Sequence, residues 1–253
     1  MNAKDLKEFL DFKVEQYNTP AFIASDPIQL PHRFSKKEDI EIVGFLVSMI
    51  AWGNRASIIK SGSRLIDIMG NTPLEFIQSY QSEALPHFVH RTFNVTDLDF
   101  FFRSLQNIYL NGGLEDAFSK NHEIEGIKGR IVNFRHEFLG IHHEQRSNKH
   151  ISNPLRNSAA KRLNMFLRWM VRKDNCGVDF GLWNTISPSE LYIPLDVHTG
   201  NNSRDLGLLK RKQNDWKALE ELMTALRKFD PADPVKYDFA LFGIGVFERW
   251  ELN

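Results

Sequence analysis

The sequence predicts an all-α fold, and three observations carry that prediction. Apolar residues recur at helical spacing through most of the chain, helix-opening and helix-closing residues punctuate those segments, and no turn dipeptide stands between alternating apolar runs as a hairpin would require. Asp5 to Tyr17 places Leu6, Phe9, Leu10 and Val14 on one helical face. The segment from Asn18 to Phe34 holds three prolines and no periodicity, and reads as a long surface loop. Ser35 and Glu38 then have capping-box spacing. The helix they open, through Trp52, is apolar on several faces (Ile42, Val43, Phe45, Leu46, Val47, Met49, Ile50), as a core helix is. Gly53-Asn54 breaks it, and a further helix runs from Arg55 to Met69, closed by Gly70.

Helical patterns continue over Pro73–Ser79, Asp97–Leu110 after a Thr96 cap, Leu114–Ser119 and Ile124–Leu139. Near the end, Trp216–Phe229 is amphipathic through Leu219, Leu222, Met223 and Leu226. Asp233-Pro234 reads as an N-cap and first-turn proline opening a last helix to Arg249. Roughly ten or more helices result.

Composition narrows the function classes. With 32 Lys+Arg against 32 Asp+Glu the net charge is zero, so a nucleic-acid function must rest on a local patch rather than a globally basic surface. Cys176 is the single cysteine, which excludes an intrachain disulfide, a thiolate zinc site and an iron–sulfur cluster. The N-terminus, MNAKDLKEFLDF, is no signal peptide, and the apolar stretch near Ile42–Trp52 is too short to span a bilayer. The expectation is a cytoplasmic protein without a membrane partner.

One charge asymmetry stands out. From Arg146 to Lys173 there are eight Lys/Arg and no Asp or Glu. Such a run is a candidate phosphate-backbone surface. On a helical wheel Leu163, Phe166, Leu167 and Met170 share one face, and Lys161, Asn164, Arg168 and Arg172 fall opposite, so Lys161 is expected to head an exposed basic stripe. It also sits near the positive end of its helix, where an ammonium is disfavoured and the neutral, nucleophilic amine is more accessible. Downstream, Ile193-Pro194-Leu195 leads into Asp196-Val197-His198, with Pro194 holding the chain extended and Asp196 placed as a helix N-cap.

A lysine near a helix start, followed by a Gly/Pro-punctuated loop ending in Pro-Leu-Asp-Val-His, resembles the helix-hairpin-helix, Gly/Pro-Asp superfamily of DNA base-excision glycosylases. PLDVHTGNNSRDLGLL is similar to that superfamily's aspartate-bearing helix start, Arg204 and the apolar end included. Asp196 follows Lys161 by 35 residues, longer than in the endonuclease III branch and closer to the archaeal oxidised-guanine branch. The chain as a whole also resembles a bacterial family of divergent relatives of these enzymes.

The resemblance implies a two-lobed fold, with residues 35–174 forming a central helical lobe and 1–34 plus 175–253 the second. It implies Lys161 as nucleophile and Asp196 as catalytic carboxylate, acting on duplex DNA with a damaged base, an oxidised purine among the candidates, flipped into a pocket. It implies no cofactor, no metal and a monomer. Trp52, Asn54, Trp169, Trp183 and His198 are then candidate substrate-binding residues. Arg156, Ser158, Arg162, Arg168, Arg172 and Arg204 are candidate DNA-backbone contacts. Leu155 to Ala160 lacks the glycines whose N–H groups approach a phosphate in that superfamily, so Arg156 or the Ser158 hydroxyl would have to replace them.

Other readings compete. A non-catalytic nucleic-acid-binding protein would keep the basic helix and tolerate loss of Lys161. A metal-dependent hydrolase would use His122, His136, His142, His143 and His150, whose spacing lacks a metal-binding helical pattern. A purely structural or protein-interaction module has no specific feature in its favour.

Overall fold

The computed structural model describes residues 2–82, 85–120 and 123–248. In chain order it contains α1 (Ala3–Tyr17), α2 (Pro20–Ser25), α3 (Lys37–Met49), α4 (Arg55–Ile68), α5 (Pro73–Ser79), β1 (Val89–His90), β2 (Phe93–Asn94), α6 (Val95–Leu110), α7 (Leu114–Ser119) and α8 (Gly126–Phe138). It continues with α9 (Lys161–Val171), α10 (Val197–Asp205), α11 (Trp216–Phe229) and α12 (Tyr237–Phe247). Among the described residues the two strands form one small antiparallel hairpin, Val89 opposite Asn94 and His90 opposite Phe93, so the protein is mostly helical.

Two compact units divide the chain, residues 1–22 with 154–253, and residues 23–153. The boundaries differ from those expected at 34 and 174, because α9 packs with the C-terminal elements. Trp169 and Met170 offer their carbonyls to the N–H groups of Phe180 and Leu182, and Phe166 meets Trp183 edge to face.

In the unit of residues 23–153, α3 is the buried centre, as its many-sided apolar sequence predicts. Its Phe45 lies against Phe101 of α6 and Phe134 and Phe138 of α8, and Phe118 of α7 stacks on Phe134 at 4.0 Å. In the other unit α12 packs against α1 and α10. The approach of α1 is close enough that a Cβ on Gly243 would overlap the Tyr17 ring, so only glycine fits there.

Several local expectations are corrected. Residues 18–34 are not a surface loop. Pro20, Pro27 and Pro31 each open a short helical turn, α2 or one of two 3₁₀ turns, and Ile28 and Leu30 are fully buried. No periodicity marks the segment because no turn in it is long enough to repeat. The α3 N-cap is Lys36, without a side-chain cap, so the Ser35 capping box does not form. Asn94 and Asp97, not Thr96, make the reciprocal box that opens α6. Asp233 precedes a 3₁₀ turn and turns its carboxylate to Arg172 instead of capping. The last helix ends at Phe247, and Arg249 lies outside the described residues.

Candidate active site

Everything in the proposed centre lies within the unit of residues 1–22 and 154–253. After a 3₁₀ turn at Pro154–Arg156, the backbone takes the left-handed conformation twice without a glycine, at Asn157 (φ 62°) and Ala160 (φ 46°). Asparagine tolerates that region; alanine does so at a cost. Surrounding groups hold the turn. The amide of Asn164 donates to the Ala159 carbonyl at 2.9 Å, the Asn157 amide donates to Asp215 at 2.8 Å, and the Trp216 N–H donates to the Asn157 carbonyl at 3.0 Å. Asp215 is also the N-cap of α11, and its bonds from Arg211 hold its carboxyl well below the usual carboxylate range. The turn ends at Ala160, and Lys161 is the first residue of α9.

Asp196 is the N-cap of α10, as expected. Its Oδ1 accepts the Thr199 N–H at 2.9 Å, which leaves Oδ2 facing the Lys161 ammonium at 3.2 Å. The lysine side chain is 35% exposed and the aspartate 14%, so the pair is anchored yet partly open to solvent. Support comes from behind. The Arg204 guanidinium donates to the Arg211 carbonyl and the Asn214 side-chain oxygen, and the Asn214 amide donates to the Asp196 carbonyl at 2.8 Å. Arg204 therefore braces the aspartate rather than offering its charge to a DNA phosphate.

The basic stripe does not form. Asn164, Arg168 and Arg172 are buried beneath Lys161. Arg168 pairs with Asp179 at 3.1 Å and with Asp238, while Arg172 pairs with Asp174 at 2.7 Å, Asp179 at 3.1 Å and Asp233 at 2.9 Å. Their partners come from the loop after α9, from the segment before α12 and from the start of α12, which a wheel of α9 alone cannot include. Both stack beside the Phe239 ring as well. Arg168 and Arg172 are thus removed from the candidate backbone contacts. Arg146 is likewise engaged, by Asp97 at 2.8 Å and by Asn94 and Thr92. Arg156 is exposed, Ser158 and Arg162 are half-buried, and burial pulls the Arg162 guanidinium down to about 10.

Trp169 and Trp183 are core residues, almost wholly buried, and so are not surfaces for a flipped base. His198 is exposed on the first turn of α10, beside Gly245 of α12. Trp52 and Asn54 line a cavity in the other unit.

Sequence reasoning missed Asp238, although the signal was present: it is the one charged residue in the apolar run Tyr237–Phe247. Burial pushes its carboxyl up to about 7. The Arg168 charge opposes that shift, and the charges of Asp196 and Asp179 add to it.

A protein family described as "Protein of unknown function (DUF2400)" matches residues 26–247. The chain belongs to the DUF2400 family. That match spans both Lys161 and Asp196. No curated protein and no solved structure matches the chain.

The competing histidine chemistry can also be placed. His136 and His142 are exposed, His143 stacks on Phe100 at 4.3 Å, and His150 is buried 3.3 Å from Asp97. His122 lies outside the described residues. Among the described residues no group of three His, Cys, Asp or Glu side chains is arranged to hold a metal ion, and no helix is long and apolar enough to cross a membrane.

Proposed function

We propose that this DUF2400 chain is a DNA base-excision glycosylase with lyase activity, with Lys161 as nucleophile and Asp196 as catalytic carboxylate. The observation that carries the reading is the 3.2 Å contact between the Lys161 ammonium and an Asp196 oxygen, made across 35 residues by two helix N-termini. A lysine poised beside a carboxylate is the arrangement that amine attack on a sugar carbon needs. The second reading, binding without chemistry, has no observation of its own in its favour and becomes an outcome of the test.

The chemistry follows from the two groups. Asp196 first accepts a proton from the ammonium, which frees the nitrogen lone pair. As the bond from C1′ to the damaged base breaks, its electron pair leaves with the base and positive charge develops at C1′ and the ring oxygen. Passing that proton on to the departing base restores the Asp196 carboxylate, whose charge stabilises the transition state. The amine then bonds to C1′ and gives a proton to Asp196, which hands it to the ring oxygen as the ring C–O bond breaks, opening the sugar to a Schiff base. Removal of a C2′ proton from the Schiff base expels the 3′ phosphate and cleaves the strand. An oxidised purine is the lesion class the resemblance favours. Duplex DNA with the base flipped out is the substrate, one copy of the chain the acting unit, and the cytoplasm the place of action.

Borohydride trapping tests this directly. The parent protein is expected to give a covalent adduct on duplex DNA carrying oxidised guanine or an abasic site, and Lys161→Gln none. DNA binding without any adduct would leave the binding reading alone; no DNA binding at all would sink both.

A further inference from the structure

A second site lies in the unit of residues 23–153, and neither Lys161 nor Asp196 lines it. It is a cavity of about 440 Å³, within the range of ~300–1,000 Å³ that small-molecule sites occupy. One face of α4 forms one wall through Ser57, Lys60, Ser61 and Arg64. β1 and the turn residue Arg91 form another, and Trp52 completes the lining. Among the described residues no carboxylate lines it.

Several cations of the same unit are matched: Arg103 with Asp99, Lys120 with Glu137, Arg146 with Asp97 and Lys37 with Glu115. Among the described residues, no ion pair engages Lys60, Arg64 or Arg91. Three positive charges thus converge on one concavity of a chain whose net charge is zero.

The walls are also set in advance. The Arg64 guanidinium donates to the His87 carbonyl, which fixes its reach along the rim. Arg91 occupies a left-handed position (φ 56°) in the hairpin turn and lies so close to Gly53 that a Cβ there would collide with its guanidinium. Arg91 opens the two-residue turn between His90 and Phe93, where a tight hairpin demands positive φ, so the turn itself fixes where its side chain starts. His90, buried behind the wall, bonds the Ser61 hydroxyl at 2.9 Å and the Trp52 carbonyl at 3.3 Å. Burial lowers its basicity, and the neutral ring orients both neighbours without adding charge. Trp52 is held between this imidazole, met edge-on at 5.2 Å, and that of His150, stacked at 6.1 Å.

We propose that this cavity binds a phosphate-bearing nucleotide unit, with Lys60, Arg64 and Arg91 taking the phosphate and Trp52 packing against the base or sugar. Guanidinium forks and an ammonium match phosphate oxygens, and an indole is a sequence-tolerant partner for a base. The unit can come from a free mononucleotide or from a phosphorylated strand end, which present the same chemistry. The proposal is independent of Lys161, whose reading stands or falls by trapping.

Titration of the full chain with dGMP, and with a short single-stranded oligonucleotide carrying either a 5′-phosphate or a 5′-hydroxyl, decides it. Binding of dGMP that falls roughly 100-fold or more in the Lys60→Glu/Arg64→Glu double variant supports the site and identifies a free nucleotide as the source. Preference for the 5′-phosphorylated strand without dGMP binding, lost in the same variant, supports the site with the strand end as source. Arg91→Gly is the second variant, since glycine keeps the left-handed turn while removing the charge, and it is expected to weaken binding roughly tenfold. Absence of phosphate-dependent binding by the parent protein overturns the proposal. So does binding that both variants retain at parental affinity.

Discussion

At Asp196 two demands meet in one side chain, and the two oxygens divide them. Oδ1 caps α10 through Thr199 while Oδ2 faces Lys161. An asparagine keeps the cap and discards the charge. Asp196→Asn is therefore expected to hold the parental melting temperature within about 2 °C while losing the borohydride adduct. Asp196→Ala is expected to lose the adduct and about 1 kcal/mol of stability, read by chemical denaturation. If both variants keep the adduct, Asp196 is only a cap. Arg204 and Asn214 act one step further back, through the aspartate's own carbonyl.

The element that places the lysine is the turn before α9, and its energetics concentrate at Ala160. This residue is buried and left-handed, so a β-branched side chain meets both a forbidden backbone region and a full environment. Ala160→Val is expected to cost about 2–4 kcal/mol, whereas Ala160→Gly should stay within about 1 kcal/mol of the parent, since relief of strain offsets lost methyl burial. Denaturant titration measures both. A valine variant as stable as the parent would show that the turn relaxes and that Lys161 is not fixed by it.

Across the unit of residues 1–22 and 154–253, α9 is tied to α12 and the intervening loop by ion pairs rather than by apolar contact alone. Arg172 holds Asp174, Asp179 and Asp233, and burial of such a set is safe only while it is complete. Arg172→Met leaves Asp179 with Arg168 alone and the partly buried Asp174 and Asp233 without their cation, and is expected to cost about 3 kcal/mol. Asp238 gives the pH signature. Its carboxyl is raised to about 7 in the folded protein against an ordinary value of about 4, so the folded state holds a proton that the unfolded chain has already released. Its contribution therefore lowers stability as pH rises from about 4 to about 7, and is constant above that. Asp238→Asn is expected to remove this slope, measured as unfolding free energy against pH. An unchanged slope would mean that Asp238 does not titrate in this window.

Much of this was legible in residue order, because it depended on neighbours along the chain. The all-α class, the buried α3, the break at Gly53-Asn54 and the Asp196 cap all follow from periodicity and capping chemistry within a few residues. Other features depend on which side chains meet from far apart. Arg168 and Arg172 look like a solvated stripe until α12, the segment before it and the loop after α9 bring them four carboxylates. The prolines from Pro20 to Pro31 look like a loop until burial of Ile28 and Leu30 makes them helix starts. The cationic cavity joins α4 to a hairpin with only two residues per strand, too short to leave a periodic signal. Local dihedral and capping preferences act over a few residues and are written in the sequence; pairing of buried charges and closure of a cavity are long-range, and only the tertiary structure decides them.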